Sequence, residues 1–502
     1  MLSLRSSTRL FCAKRLAYQR TVYSQASSDL KRVFSKIDDL KPRFIKRLKD
    51  AVAIPSVSSE PDRRNELFRM AQFIKSESEP LGVTLQQKEL GLQDGVTTSK
   101  GEPIPLPPIL QGTLKGSGSG KRILIYGHYD VQPANLEDGW SSDPFTLVEK
   151  PDGRLVGRGV TDDKGPVIAW INTIQAFKEA GVEIPVDLVF CIEGMEESGS
   201  EGLEDFIKQE KSKGFKGVDG ICISDNYWVG IKQPVLTYGL RGVSYYSITI
   251  SGPSEDLHSG LFGGTTYEPM IDLTHVLSRL VTPNGKILIP GIDEMVALLT
   301  PEESGLYDKI TFTINDLKDA LGNDTTIHET PKEALMSRWR YPALSIHGVE
   351  GAFSSPGAKT VIPAKVSGKF SIRTVPDIDL KKLDQLVFDH VEKSFASLNS
   401  KNKLKVELIH AGKWWVGDPN NWNFEAARKA TETVWGVEPD MTREGGSIPI
   451  ALTFEEELKK PVLLLPIGRG DDGAHSASEK LDTVNYIQGI KTMAAYLYYA
   501  GK

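Results

Sequence analysis

The feature that most restricts this chain is a series of short apolar runs that each stop at an acidic or imidazole side chain. KRILI leads into YGHYD at Tyr126–Asp130, VDLVFCI leads into EGMEESGS, and GICIS leads into DNYW. Each run has the length of a buried strand. Between them lie helix-forming stretches, VIAWINTIQAFKEAG closed by Gly181 and another from Leu203. Strand and helix in alternation predict a sheet with parallel strands, whose sites lie outside the carboxyl ends of those strands. His128, Asp162, Glu196, Glu197 and Asp225 all fall at such ends. In extended chain, residues two apart face the same way, so His128 and Asp130 can share one pocket. A carboxylate beside an imidazole fixes its tautomer and raises its basicity, as a metal-binding His requires.

A chain of 502 residues is too long for one core and implies at least two domains. Hydrophobic content of 39% and charged content of 25% are those of a soluble globular protein. The longest apolar runs, such as PVLLLPI from Pro461, are far short of the ~20 residues that span a bilayer, so no membrane partner is expected. A net charge of -6 without a basic stripe argues against nucleic acid. Cys12, Cys191 and Cys222 are too few and too scattered for a disulfide framework or a thiolate metal site. Any metal is therefore held by oxygen and nitrogen. Residues 1–28 carry five basic residues, several Ser and Thr and no acid, the composition of a mitochondrial presequence.

From Ser28 to Ala53, apolar residues recur at helical spacing, with Pro42 predicting a break between two helices. Another amphipathic helix begins at Asn65, and the polar, Pro-rich Gly91–Pro108 segment reads as a loop. GSGSGKR and GRGDDG superficially match phosphate-binding patterns. The first precedes its strand, with Arg122 where Ser or Thr should stand, and the second would set two aspartates against a pyrophosphate; both are rejected. The middle of the chain changes character: VSYYSITISG, KVSGKFSIRTVP and KLKVELIHA read as strands and Pro269–Leu280 and Leu380–Leu398 as helices, in the manner of a split βαβ sandwich. The last stretch returns to α/β, with TREGGSIP and GRGDDGAHS as loops and a closing helix from Val484. The expected fold is an α/β catalytic domain with a mixed, mostly parallel sheet flanked by helices. A smaller α+β lid or dimerisation domain interrupts it. The expected boundaries are a basic segment at 1–28, a first catalytic segment at 29–238, the insert at 239–413 and a second catalytic segment at 414–502.

Acidic and imidazole groups gathered at neighbouring strand ends repel one another, or stay buried and unpaired, unless cations lie among them. Two divalent ions sharing a carboxylate, typically ~3.5–4 Å apart, meet that need. His475 in DDGAHS is a natural last ligand. Adjacent Glu196 and Glu197 face different ways, so one can bind metal while the other takes a proton from water.

The stretches YGHYDVQPA, GWSSDPF, GRGVTDDKGP, EGMEESGSEG, SDNYW, DLHSG, GAKTVIPAKVSGKFSIR, REGGSIP and GAHSASE closely resemble the co-catalytic metallopeptidase family of carnosine and cytosolic non-specific dipeptidases. That group includes the Cys-Gly metallodipeptidases of glutathione degradation. The likeness runs from about Ser28 to the C-terminus. It implies that His128, Asp162 and Asp225 bind one metal and that Asp162, Glu197 and His475 bind the other, with Asp162 bridging. It also implies Glu196 as general base, Asp130 as the group orienting His128, and a cis Asp162–Asp163 peptide. His258 would reach the oxyanion from the partner subunit of a homodimer. Thr360, Arg373 and Ser447 resemble the groups that hold the substrate carboxylate, with Asp225, His258 and His475 also touching substrate and Glu444 meeting its amine.

The resemblance implies a two-metal dipeptidase, with zinc or manganese as its ions, small unblocked dipeptides as substrates and Cys-Gly favoured. The alternatives are an N-acyl amino acid deacylase or carboxypeptidase on the same scaffold, against which Asp225 stands where those relatives carry Glu, and an inactive binding or scaffold protein. Residues 1–28 suggest a mitochondrial location, and the family a cytoplasmic one. His275, His328, His347, His390 and His410 are expected to be structural or solvated, Trp414 and Trp415 to pack where the insert rejoins the sheet, and Cys191 and Cys222 to be inert core thiols.

Overall fold

The computed structural model describes residues 26–118 and 120–502, so the presequence expectation lies almost wholly outside the described residues. Helix α1, Ser28–Val52, starts where the Ser27 hydroxyl accepts from the Leu30 amide at 3.2 Å. It is one helix, not the two that Pro42 predicts. Pro42 and Asp38 are both exposed, so the carbonyl that loses its ladder partner faces water. Leu30, Val33 and Ile37 before the proline and Phe44, Ile45 and Leu48 after it are buried in one core, which keeps both halves in line. Helix α2, Arg64–Ser78, follows. The Gly91–Pro108 segment is not a plain loop: Leu92–Thr97 and Pro103–Pro105 pair antiparallel, turned at Gly101 with φ +79°.

The strands of the main sheet are β1 (Thr84–Lys88), β2 (Ile109–Leu114), β3 (Arg122–His128), β4 (Asp187–Glu193), β5 (Gly220–Ile223) and β6 (Val235–Leu240). After the insert, the chain adds β11 (Trp415–Val416), β12 (Asp440–Glu444) and β13 (Val462–Leu464). Among the described residues these form a nine-stranded sheet of order β1-β2-β4-β3-β5-β13-β6-β11, with β12 also paired to β6. The centre, β4-β3-β5-β13, is parallel and the flanks are mostly antiparallel. Some of the predicted TREGGSIP loop is thus sheet, because Thr442 is buried against the Thr237 hydroxyl at 3.1 Å.

The central strands read as continuous apolar runs because both faces are covered. Ile123 and Ile125 of β3, Phe190 of β4 and Leu463 of β13 face a core built with α1, α2, α3 (Lys164–Ala180), α7 (Trp422–Trp435) and α9 (Thr483–Ala500). Leu124, Val189, Ile221 and Leu464 face a second core under α4 (Leu203–Glu210) and α8 (Pro449–Leu458). This sandwich fixes the height at which β3, β4 and β5 end, and so where their polar termini gather.

Between β6 and β11 the chain forms a four-stranded antiparallel sheet from β7 (Gly242–Ser251), β8 (Ala343–Glu350), β9 (Lys365–Thr374) and β10 (Lys403–Gly412), in the order β8-β9-β7-β10. One face packs Tyr246, Ile248, Phe370 and Ile372 against α5 (Pro269–Leu277) and α6 (Leu380–Ala396). The helices at Pro301–Tyr307 and Pro331–Trp339 instead cluster with Trp228, Val229 and Val235 beside the main sheet. Trp415 is buried where the chain rejoins that sheet, its indole donating to Glu455 at 2.8 Å. No helix among the described residues is long and apolar enough to cross a membrane.

Because α1 runs through Pro42 at the cost of a hydrogen bond, Pro42→Ala raises stability, by about 2 kcal/mol after the unfolded-state benefit of proline is deducted. The measurement is the urea midpoint of the full chain; an unchanged or lower midpoint contradicts the expectation.

Candidate metal centre and substrate cavity

His128 is the last residue of β3, and its ring is fully buried. Its Nδ1 lies 3.1 Å from the Asp130 carbonyl and 3.3 Å from the Asp130 carboxylate, which holds the ring in place. Its Nε2 faces Asp162 Oδ1 at 3.2 Å, Asp225 Oδ1 at 3.7 Å and Glu196 Oε2 at 4.0 Å. That nitrogen is buried without a well-aligned hydrogen bond. The second oxygen of Asp162 faces the other way, 3.0 Å from His475 Nε2, and the same nitrogen is 3.1 Å from Glu197 Oε2. Asp162 therefore stands between two imidazoles that come from opposite ends of the chain.

Each group is set by the turn that carries it. The Asp130 carboxylate accepts from the Glu196 and Glu197 amides at 3.2 and 3.0 Å, drawing the turn after β4 toward the end of β3. Gln132 donates to Glu197 at 2.7 Å. The Asp162–Asp163 peptide is cis, as the resemblance implies, and leads directly into α3. His475 has φ +63°, a left-handed conformation that a non-glycine residue adopts only when its surroundings demand it.

Electrostatics show a surplus of acid. Burial pushes the Asp225 carboxyl up to about 6. Burial also raises Glu196 and Glu197, to which the charges of Asp225 and Asp162 respectively add. Burial acts against ionised Asp162 as well, but the flanking His128 and His475 rings outweigh it and hold that carboxyl well below its usual range. Hydrogen bonds to Asp162 and Glu197 push His475 up to about 11. Two imidazoles cannot neutralise four carboxylates, and an orphaned, buried His nitrogen among oxygen donors suits a divalent ion. The residues present fit the metal the sequence implies.

Ligand atoms of His128, Asp163 and Asp225, and those of Asp162, Glu197 and His475, lie within 4.8 Å of one another. Asp163 is the one that sequence reasoning did not assign. Its Oδ2 accepts from the His128 amide at 3.1 Å, while its Oδ1 is buried without a hydrogen-bond partner. A third acidic group, Asp471, Asp472 and Asp482, is filled by Lys480, whose ammonium lies 2.9, 2.7 and 2.7 Å from the three carboxylates.

A cavity of about 240 Å³ opens over Asp162, Glu196, Asp225 and His475. Arg373 from β9, Glu444 and Ser447 also line it. The Arg373 guanidinium donates to the Ser447 hydroxyl at 2.8 Å, which in turn donates to the Arg241 carbonyl at 2.6 Å. Asn226 and Tyr227 line it too; they adjoin a ligand-type Asp in SDNYW, the signal that could have found them. His258 and Thr360 do not line this cavity: His258 is exposed, and the Ser259 amide donates to the Thr360 carbonyl at 3.1 Å. His347 and His410 stack on either side of Tyr245, His390 lies 2.7 Å from the Arg279 carbonyl, and Cys191 and Cys222 are fully buried.

Sheet-end carboxylates and imidazoles under an inserted sheet are the arrangement of a metal-dependent hydrolase, and comparison with known proteins defines the class. Residues 124–499 match the model of peptidase family M20/M25/M40. The chain belongs to that family and is a peptidase. It is 55% identical over 469 residues to the Cys-Gly metallodipeptidase dug1 of Schizosaccharomyces pombe, covering 93% of this chain and 98% of that protein. The solved structure of the di-peptidase Dug1p from Saccharomyces cerevisiae is 57% identical with a TM-score of 0.91, covering 95% of this chain and 99% of that one. Human carnosine dipeptidase 1 superposes with a TM-score of 0.90 at 42% identity, over 95% of this chain and 99% of the other.

Chelation exposes the acid surplus. Asp225 is ordinarily at 3.8 and about 6 when folded, so its neutral form favours the fold at low pH and that contribution is lost as pH rises through 6. Glu196 and Glu197, also raised, act in the same direction. Chelated protein therefore loses thermal stability between about pH 4 and 6, and added Zn or Mn removes the loss. A chelated protein that gains stability over that interval contradicts the charge argument.

Proposed function

We propose that this chain is a two-metal dipeptidase that hydrolyses small unblocked dipeptides, with Cys-Gly its favoured substrate and glutathione degradation its context. The single observation that carries this reading is Asp162, with one oxygen 3.2 Å from His128 and the other 3.0 Å from His475. His128, Asp162 and Asp225 would hold one ion and Asp162, Glu197 and His475 the other, zinc or manganese both suiting nitrogen and carboxylate donors. Ions so held supply Lewis acidity, polarising the scissile carbonyl and lowering the pKa of water toward ~7.

The chain's own groups do the rest. Glu196 takes a proton from the attacking water and passes it to the amine nitrogen as the peptide C–N bond breaks. Asp130 keeps His128 in the tautomer that leaves Nε2 free, and fixes the Glu196 turn through two amides. Arg373 and Ser447 receive the substrate carboxylate, with Glu444 toward its amine. A cavity of about 240 Å³ lined by a guanidinium as well as carboxylates favours a short peptide with free charged termini. His258 of the partner subunit steadies the oxyanion and Thr360 of the partner subunit meets the carboxylate. That assignment agrees with both residues lying outside this chain's own cavity.

Residues 29–238 and 414–502 form the catalytic unit in this reading, and 239–413 the lid that dimerises. The basic segment 1–28 supports mitochondrial import, with a cytoplasmic site as the alternative. A panel of Cys-Gly, other dipeptides and an N-acetylated amino acid, run on stripped protein refilled with each ion, tests the substrate class. Faster release from the N-acetylated compound overturns it in favour of a deacylase.

Glu196→Gln lowers kcat by roughly 10²–10⁴ while bound metal, measured by elemental analysis, stays unchanged; retained turnover removes Glu196 as base. His258→Ala leaves the dimer intact by sedimentation and cripples catalysis. Mixing it with inactive Glu196→Gln chains restores a fraction of the activity, because some dimers then pair an intact Glu196 with an intact His258. No recovery on mixing speaks against donation across the interface.

A further inference from the structure

Glu479 takes no part in the chemistry above, yet its side chain is completely buried. It sits four residues beyond His475 in the same loop. Its Oε1 accepts from the Thr161 amide at 3.0 Å and the Asp162 amide at 3.2 Å. Its Oε2 accepts from the Gly159 amide at 3.0 Å and from the Arg158 guanidinium at 2.8 Å. A carboxylate without solvent is tolerated only when its lone pairs are met, and here three amides and one cation meet them. The Gly157 amide also donates to the Glu479 carbonyl at 3.2 Å. Residues 157–162 are thus wrapped around an anion that belongs to the His475 loop, across 317 positions of sequence at Asp162.

We propose that Glu479 is a positioning residue that sets the Asp162 carboxylate between His128 and His475, an inference that rests on reading those three residues as metal ligands. One of the amides it holds is that of Asp162 itself, two bonds from the side chain whose oxygens face both imidazoles. Its own backbone continues from His475, so a single carboxylate ties two ligands that no strand pairing connects. Asp472 braces the same two loops differently, accepting from the Thr161 hydroxyl at 3.0 Å and pairing with Lys480 at 2.7 Å, without reaching Asp162. The loops stay joined through Asp472 when Glu479 is altered, while the register of Asp162 against His475 loosens.

The test is cobalt(II) titration of the chelated full-length chain, read by visible absorption and affinity, beside thermal unfolding of the chelated form. Glu479→Gln preserves size but turns an amide NH2 toward backbone donors. It is expected to weaken cobalt binding 10–100-fold and to alter the absorption bands, in addition to the lowered chelated midpoint that follows from leaving the buried Arg158 without its counter-charge. Unchanged affinity and bands overturn the proposal, and so does a lowered midpoint with normal cobalt binding, which would make Glu479 a scaffold residue alone. If the Gln variant does not fold, Glu479→Asp, which retains the charge opposite Arg158 but draws back from the amides, is judged by the same readings. His475→Ala separates the two layers of argument. If it binds as much cobalt as the parent chain, the ligand reading itself falls; if it loses cobalt while Glu479→Gln does not, only the positioning role falls.

Discussion

The arrangement depends on carboxylates crowded at the end of a parallel sheet beside too few positive groups of the chain's own. Two like charges about 4 Å apart repel by about 4 kcal/mol at an effective dielectric of about 20. Several such pairs together rival the 5–15 kcal/mol by which a domain is stable. Asp162, Glu196, Glu197 and Asp225 form such a group, and among the described residues only His128 and His475 pair with them directly. The rest of the molecule can be understood as holding that unfavourable cluster together. Two hydrophobic cores clamp the sheet from both faces, and the polar ends of β3, β4 and β5 have no freedom to separate.

The second layer of restraint is made of anions that face backbone. Asp130 gathers the amides of Glu196 and Glu197, Asp163 takes the amide of His128, and Glu479 takes those of Gly159, Thr161 and Asp162. In each case a carboxylate that is not proposed to ligate a metal orders the main chain that presents a residue that is, His128 in one case and a carboxylate in the other two. Such bonds are charge-assisted and roughly twice as strong as neutral ones, and their direction is fixed by the peptide plane. That is why turns, rather than regular elements, can carry the site without losing its geometry.

Most of this was legible in the chain because apolar strand runs and their polar stops are local patterns. His128, Asp162, Glu197, Asp225 and His475 converge in the structure, and the order of strands and helices around them follows the sequence reading closely. What was missed depends on tertiary context. Pro42 reads as a helix break when solvent exposure is unknown, yet a proline on the exposed side of a helix whose other side is well buried bends no rule of packing. Thr442 joined a strand because Thr237 stood opposite it. Glu479 gave no sign of its partners, which lie more than three hundred residues away. His258 and Thr360 pose a different problem: neither reaches the cavity of its own chain, and their assignment rests on likeness and on the intersubunit proposal.

The link between the two sheets bears on how the cavity is built. β6 belongs to the main sheet and β7 to the inserted one, and Arg241 alone separates them. Its guanidinium donates to the Gly445 carbonyl at 3.0 Å and reaches the Ser337 and Tyr341 carbonyls at 3.4 and 3.5 Å. Its amide meets the Glu444 and Gly446 carbonyls, and its carbonyl receives the Ser447 hydroxyl. The junction is therefore stitched to the loop that carries Glu444 and Ser447, and Ser447 is hydrogen-bonded to Arg373. Arg373 comes from the inserted sheet and Ser447 from the returning half of the chain, so the cavity lining is a product of both. Arg241 therefore ties the join between the two sheets to the cavity lining that Arg373, Glu444 and Ser447 provide.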